Sequence, residues 1–293
     1  MRVFVTGATG FVGSAVVREL LGAGHQVLGM TRSEAGAAAL RAEGVEVQHG
    51  TLEDLDSLRR GSAACDGVIH TAFNHDFSKF AANCELDRIA IEALGDALRG
   101  TSRPLLVTTG LLGLAQGRPA LETDVAHIVS ERVPRASEQT AMALAAQGVH
   151  ASVVRLPPSV HGEGDHGFVP MLIGFARDKG LSAYIGDGAN LWSSVHRFDA
   201  ARVYRLALER GARGEKYHAV AEEGVPFREI AAVIGNRLGV PVASRPAAHF
   251  EWFSMFAGME AAASSAWTRE VLGWVPAQGT LLEDVDSEPY FAA

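Results

Sequence analysis

Short apolar runs alternate with segments of helical periodicity through the first half of the chain. Residues 2–6 read as a strand, 13–23 as a helix ended by Gly24, and 26–30 as a second strand. An Ala-rich helix over 35–42, a strand over 45–49, a short helix over 52–60 and a fully apolar strand over 67–72 follow. The long helix over 84–98 carries Leu86, Ile89, Ala90, Ala93 and Leu94 on one stripe. Residues 104–108, 136–146 and 151–155 continue as strand, helix and strand. Strands without polar alternation, separated by helices, are buried on both faces of a parallel sheet with right-handed crossovers.

The rhythm fails at Pro157. Glycines and prolines crowd 157–170, after which one more strand is expected over 217–220 and helices over 228–238 and 249–259. The pattern predicts an α/β protein: a Rossmann, doubly wound parallel sheet with a smaller, helix-rich C-terminal substrate-binding cap. Residues 1–156 and about 193–222 are assigned to the sheet domain, and 157–192 with 223–293 to the cap.

Composition narrows the function. A chain of 293 residues can bury a sizeable core, and its net charge of −8 without a basic run argues against nucleic acid. No apolar stretch is long enough to span a membrane, and glycines break the N-terminal apolar segment before a signal-peptide core could form, so a cytoplasmic location is expected. Cys65 and Cys84 have neither metal-ligand nor framework spacing and read as buried thiols. No His/Asp/Glu spacing suggests a metal, and no Gly-x-Ser-x-Gly elbow suggests a hydrolase.

The sharpest motif is Thr6-Gly7-Ala8-Thr9-Gly10-Phe11-Val12-Gly13, between a predicted strand and a predicted helix. Gly7 permits a tight turn, Gly10 lets backbone approach a pyrophosphate, and Gly13 lets helix pack closely on strand; the helix start then attracts negative charge. Further segments stand in order along the chain: Thr51-Leu52-Glu53-Asp54 with Leu58, Asp66-Gly67-Val68-Ile69-His70-Thr71-Ala72, Arg155-Leu156-Pro157-Pro158-Ser159-Val160-His161-Gly162, Val195-His196-Arg197-Phe198-Asp199-Ala200-Ala201, and Leu272-Gly273-Trp274 with Pro276.

Together with the Gly-x-x-Gly-x-x-Gly spacing, these segments resemble the extended short-chain dehydrogenase/reductase family, which contains NAD-dependent epimerases and dehydratases. The resemblance covers most of the chain. It implies cofactor contacts from Gly7, Thr9, Gly10, Phe11, Val12 and Gly13, from Leu52 near the adenine, and from Thr71, Ala72, Phe73, Thr108 and Pro157 toward the ribose and nicotinamide. It also implies a possible homodimer through the helices over 84–98 and 136–146. The strand tip at Thr31-Arg32-Ser33 lacks the acid that would bind a ribose hydroxyl. Arg32 and Ser33 suit a 2′-phosphate, so NADP(H) is favoured over NAD(H).

The active site departs from the family. Its members generally use a tyrosine with a lysine four residues later, the lysine easing proton exchange by the phenol. Four residues after Tyr184, Tyr204 and Tyr217 stand Gly188, Leu208 and Ala221, and Tyr290 lies too near the end. Ungapped placement puts Ser130 at the tyrosine position and Pro134 at the lysine position, within Ser130-Glu131-Arg132-Val133-Pro134. Thr109, with Thr108 as the alternative, matches the family's Ser/Thr that orients a substrate carbonyl. His161 replaces the tyrosine of a Val-Tyr-Gly signature and is the favoured proton carrier over His166 and His75. Phe73, Phe168, Met171, Leu172, Tyr184, Trp192 and Phe253 are expected to line an apolar cleft, with Arg197 able to seat an anion. The expectation is an NADP(H)-dependent reductase or dehydrogenase of a small, fairly apolar carbonyl or alcohol. An epimerase or dehydratase of a sugar-like substrate, and a non-catalytic dinucleotide-sensing protein, are the alternatives.

Overall fold

The computed structural model describes residues 1–115, 117–126, 129–130 and 134–292. Its first half alternates β1 (Arg2–Thr6), α1 (Phe11–Gly22), β2 (Gln26–Thr31), α2 (Glu34–Ala42), β3 (Glu46–His49), α3 (Leu55–Ala63), β4 (Gly67–His70), α4 (Phe80–Asp96), β5 (Pro104–Gly110), α5 (Ser137–Ala146) and β6 (His150–Leu156). There follow β7 (Ser159–His161), α6 (Phe168–Lys179), β8 (Ser182–Tyr184), β9 (Leu191–His196), α7 (Arg197–Arg210), β10 (Lys216–His218), β11 (Glu222–Pro226), α8 (Phe227–Leu238) and β12 (Val242–Ser244). Three short helices close the chain: α9 (Ser254–Ala257), α10 (Ala266–Leu272) and α11 (Leu281–Val285).

The large sheet has seven strands in the order β3-β2-β1-β4-β5-β6-β10, all parallel. The order reverses between β1 and β4, which opens a crevice beyond their C-terminal ends, where the glycine loop emerges. Each face of the sheet has its own core. Val16, Leu20, Val203, Tyr204 and Trp274 pack on one side, and Leu58, Ile91, Leu94 and Leu144 on the other. A third cluster around Trp192, Phe227, Phe250, Phe253 and Leu281 lies in the C-terminal elements.

Local chemistry starts several helices. Ser33 caps α2 by accepting from Gly36 N, and Asp54 caps α3 by accepting from Ser57 N. Thr280 and Glu283 form a reciprocal capping box on α11. The C-terminal segment is docked by Asp199, whose carboxylate accepts from Ala277 N and Gln278 N while its carbonyl accepts from Trp274 Nε1. Two sequence signatures far apart in the chain thus meet in one contact.

The C-terminal part is less purely helical than the pattern predicts. It holds a three-stranded sheet, β11-β9-β7, and a two-stranded one, β12-β8. Three of these strands are only three residues long, too short for a period to show. The helix expected over 249–259 is instead a 3₁₀ segment, Ala247–Phe253, followed by the single turn α9, with Glu251 at φ 52° between helical turns. Lys179 spans the break, its ammonium donating both to the His249 carbonyl and to the Glu251 carboxylate.

Arg155, fully buried at the end of β6, ties these parts together. Its guanidinium donates to both Glu138 oxygens, to the Asp124 carbonyl at 2.7 Å and to His218 Nε2 at 3.1 Å. His218 Nδ1 lies 2.7 Å from the Ser264 carbonyl and must carry the proton, since Nε2 accepts from Arg155. Burial, and then the Arg155 charge, outweigh the Ser264 carbonyl and push the imidazole down to about 3. In the unfolded chain it titrates near 6.5. Stability from this group is therefore complete above about pH 6.5 and is lost as pH falls from there toward 3, with a slope up to about 1.4 kcal/mol per pH unit. Urea unfolding at pH 7.5 and pH 5 checks this. The wild type should lose more stability over that interval than His218→Gln, which keeps an acceptor and a donor but cannot titrate; equal losses would remove His218 as the cause.

Candidate active site

The glycine loop is closed on one side and open on the other. Gly7 has φ 69°, and a Cβ there would lie 2.7 Å from Ala72 N, so the turn after β1 presses on the chain leaving β4. A Cβ on Gly13 would stand 2.0 Å from the Gly7 carbonyl oxygen, which fixes how closely α1 approaches the loop. Gly10 differs: its added Cβ would meet only the Gly7 carbonyl, at 3.2 Å. Gly10 is also the N-cap of α1, where no side chain caps the first turn and no acid occupies it. Bare amides at the start of a twelve-residue helix, beside a backbone position without a side chain, fit a pyrophosphate.

The other residues expected at the cofactor stand just past the C-terminal ends of the sheet strands. Thr9 and Arg32 are exposed, Arg32 at the tip of β2, and Leu52 is half-buried after β3. Ser33, expected to help hold a phosphate, spends its oxygen on the cap of α2. Thr71 and Ala72 adjoin Gly7, and the Thr71 hydroxyl donates to the Thr6 carbonyl at 2.8 Å. Pro157 is buried just beyond β6.

At the ends of β4 and β5 a chain of hydrogen bonds crosses the buried interior. Thr6 Oγ1 and His70 Nδ1 are 2.7 Å apart, His70 Nε2 and Asp87 Oδ1 3.0 Å, and the Ser137 hydroxyl donates to Asp87 Oδ2 at 2.6 Å. Arg135 Nε donates to Ser137 Oγ at 3.0 Å. With Asp87 ionised, His70 donates from Nε2, and the Thr6 hydroxyl donates to Nδ1. Burial opposes the charge on Asp87, but His70, Arg135 and Ser137 outweigh it and hold the carboxyl below its ordinary value. Arg135 reaches on toward the Thr108 carbonyl at 3.4 Å, and its guanidinium carbon lies 4.4 Å above the Phe73 ring.

The two threonines of β5 are used differently. The Thr108 hydroxyl donates to the His70 carbonyl at 2.7 Å and accepts from Tyr204, so it is occupied beneath the sheet edge. Thr109, one residue on, faces the opposite side of the strand and is buried. Ser130 and Pro134 fall in the connection to α5, while Glu131, Arg132 and Val133 lie outside the described residues.

His161 is fully buried at the end of β7, with Nδ1 on Asp284 Oδ2 and Nε2 without a partner among the described residues. Its ring meets His196 edge to face at 5.5 Å. Tyr290 accepts from Gly162 N and donates to Asp165, whose carboxyl is pushed up by burial. His166 stands against Phe11 at 5.7 Å, and Arg197 lies 4.5 Å over the same ring while donating to Ser14 Oγ and the Glu163 carbonyl. Residues 163–166 are thereby tied to the first turn of α1. His75 reaches solvent, yet desolvation, then the charges of Arg135 and His166, lower its pKa; Asp165 in turn feels His166 and His161.

The aromatic lining differs from the expected set. Leu172, Trp192 and Phe253 are buried in the C-terminal core, with Met171 and Tyr184 packed against it. The rings that meet across the cleft are Phe77 and Trp252 at 5.4 Å and Phe77 and Phe256 at 6.4 Å, with Phe73 and Phe80 at 6.2 Å on one wall and Phe168 and Phe256 at 4.9 Å on the other. Phe77, Trp252, Phe256, Asp87, Ser137, Arg135 and Asp284 were not singled out by sequence pattern. The one signal was an aspartate inside the apolar stripe of α4. Among the described residues no group of side chains could hold a metal ion, and no helix is long and apolar enough to cross a membrane.

Residues 3–93 match the model of the NAD dependent epimerase/dehydratase family. The chain is 52% identical over 296 residues to an uncharacterized protein of Schizosaccharomyces pombe, covering 99% of this chain and 100% of that one. It is 30% identical to a 4-hydroxy-2-methyl-3-oxo-4-farnesyl-3,4-dihydroquinoline-1-oxide ketoreductase of Stigmatella aurantiaca, covering 85% and 79%. Among solved structures, a dTDP-glucose 4,6-dehydratase of Streptomyces venezuelae with NAD and TYD bound aligns with a TM-score of 0.77 at 22% identity, over 98% of this chain and 95% of that one.

The geometry of the loop gives a direct test. In Gly13→Ala the new methyl must displace the Gly7 carbonyl, so the pyrophosphate seat opens. Calorimetry should show NADPH binding weakened at least about tenfold, on the order of 1.4 kcal/mol, while far-UV circular dichroism keeps the wild-type shape. Unaltered affinity would mean that the cofactor does not use this turn.

Proposed function

This chain belongs to the NAD-dependent epimerase/dehydratase family, and on that premise we propose that it is an NADP(H)-dependent reductase or dehydrogenase of a small, fairly apolar carbonyl or alcohol. The observation that carries this reading is the uncapped start of α1 beside the open Gly10, at the same end of the sheet as an aromatic cleft with a fixed cation. The ketoreductase relative supports the reaction class. When bound, the cofactor supplies a hydride to the carbonyl carbon. Gly7, Thr9, Gly10, Phe11, Val12 and Gly13 hold its pyrophosphate, Leu52 its adenine side, and Thr71, Ala72, Phe73, Thr108 and Pro157 its ribose and nicotinamide side. Thr109 orients the substrate carbonyl.

Arg32 selects NADP(H) by meeting the 2′-phosphate. Calorimetry with both cofactors tests this: the wild type should prefer NADPH, and Arg32→Ala should weaken NADPH by about 1.5–3 kcal/mol with little change for NADH. Equal or tighter NADH binding by the wild type would sink the assignment.

His161 returns the proton to the substrate oxygen. A carboxylate on one ring nitrogen orients the imidazole and leaves the other for proton transfer, and the buried Nε2, without a partner among the described residues, matches that arrangement. In the reduction direction the imidazole must start protonated. His161→Phe should lower the maximal rate about 10²-fold. An unchanged rate would assign the proton to water. If the wild type oxidises NADPH with no carbonyl of an aryl and alkyl ketone panel, the chain is a dinucleotide-binding protein instead.

A further inference from the structure

We propose that Arg135 is a catalytic residue, whose guanidinium seats the substrate carbonyl oxygen and stabilises the negative charge that oxygen gains. This deepens the reductase reading and rests on it. The family's tyrosine–lysine pair is missing from the sequence, and Pro134 holds the lysine position by ungapped placement. The next residue brings a permanent cation to the end of β5, beside Thr108 and over Phe73. Among the described residues no carboxylate pairs with it.

The cation is held rather than loose. Its Nε is fixed by Ser137, Ser137 by Asp87, Asp87 by His70, and His70 by Thr6, the last residue before the glycine loop. Asp87 supplies the opposite charge one hydrogen bond removed, which leaves the donor face of the guanidinium for an incoming oxygen. Phe73 under it, extended by Phe80 and then Phe77, suits a ketone with an aromatic or alkyl flank.

As the carbonyl carbon accepts a hydride, the π pair of the C=O bond moves onto oxygen, and Arg135 hydrogen-bonds that oxyanion. The oxygen then takes a proton from His161 or from water, and the guanidinium keeps its own protons throughout. Arg135 therefore stabilises charge and carries no proton, so its removal lowers the rate without altering the pH profile.

Two measurements on the full chain test this. With NADPH and an aryl ketone, Arg135→Met should lose about 10²–10³ in kcat with a pH profile of unchanged shape. Arg135→Lys should recover part of the loss, and added guanidinium ion should raise the rate of Arg135→Ala but not of the wild type. Separately, benzoate titrated into the cofactor-free protein in a calorimeter should bind the wild type and bind Arg135→Met at least tenfold more weakly, because a carboxylate mimics the oxyanion. Urea unfolding of each variant confirms that the fold survives. Wild-type kcat in Arg135→Met, or equal benzoate affinity in both proteins, overturns the proposal. If the wild type reduces no ketone while benzoate binding still depends on Arg135, the reductase reading falls and the oxyanion seat stands.

Discussion

The hydrogen bond between the Thr6 hydroxyl and His70 joins two things that must move as one. Thr6 is the last residue of β1 and leads into the glycine loop, whereas His70 ends β4 and leads into the cleft. Gly7 presses on Ala72 at the same level, so neither strand end can shift without the other. From His70 the constraint passes through Asp87 to α4 and through Ser137 to α5. A buried network of this kind is costly if any member loses its partner, and every link here is satisfied. The glycine loop and the cation above Phe73 are therefore positioned by one set of bonds.

A second buried charge system does the corresponding work for the outer half of the sheet. Arg155 and Glu138 pair at the junction of β6 and α5, and the guanidinium also collects the Leu121, Glu122 and Asp124 carbonyls and His218 of β10. Removing one partner would strand the other in a dry interior, on the order of 3–5 kcal/mol. The arginine belongs to one of the segments by which the sequence resembles its family, yet here it faces other protein groups. Its burial makes it part of the framework, and its partner Glu138 is the residue next to Ser137.

The strand–glycine–helix unit was legible because its signals are local: apolar run, three glycines at fixed spacing, helical period. The sheet followed for the same reason. Arg135 was not legible, since what singles it out is Phe73, Ser137 and Asp87, and Asp87 lies far back on α4. Asp284 beside His161 is separated by still more chain. The segment over 249–259 looks like one helix in sequence because Phe250, Phe253 and Ala257 keep helical spacing and are buried, while the break at Glu251, bridged by Lys179 of another element, leaves no mark on that spacing. Trp192 and Phe253 were read as cleft residues, but burial alone, invisible in sequence, places them in a core.

Trp252 lies outside that core, more than half exposed, with its ring against Phe77 of the opposite loop. Trp192 and Trp274 are fully buried, and Trp267 is stacked on Tyr217 away from the cleft. The protein thus carries a built-in optical gauge: of its four indoles, this one straddles the cleft, so its emission colour and its quenching follow the gap between the 73–80 and 250–257 segments. Intrinsic fluorescence can therefore follow the spacing of these two segments without any added label.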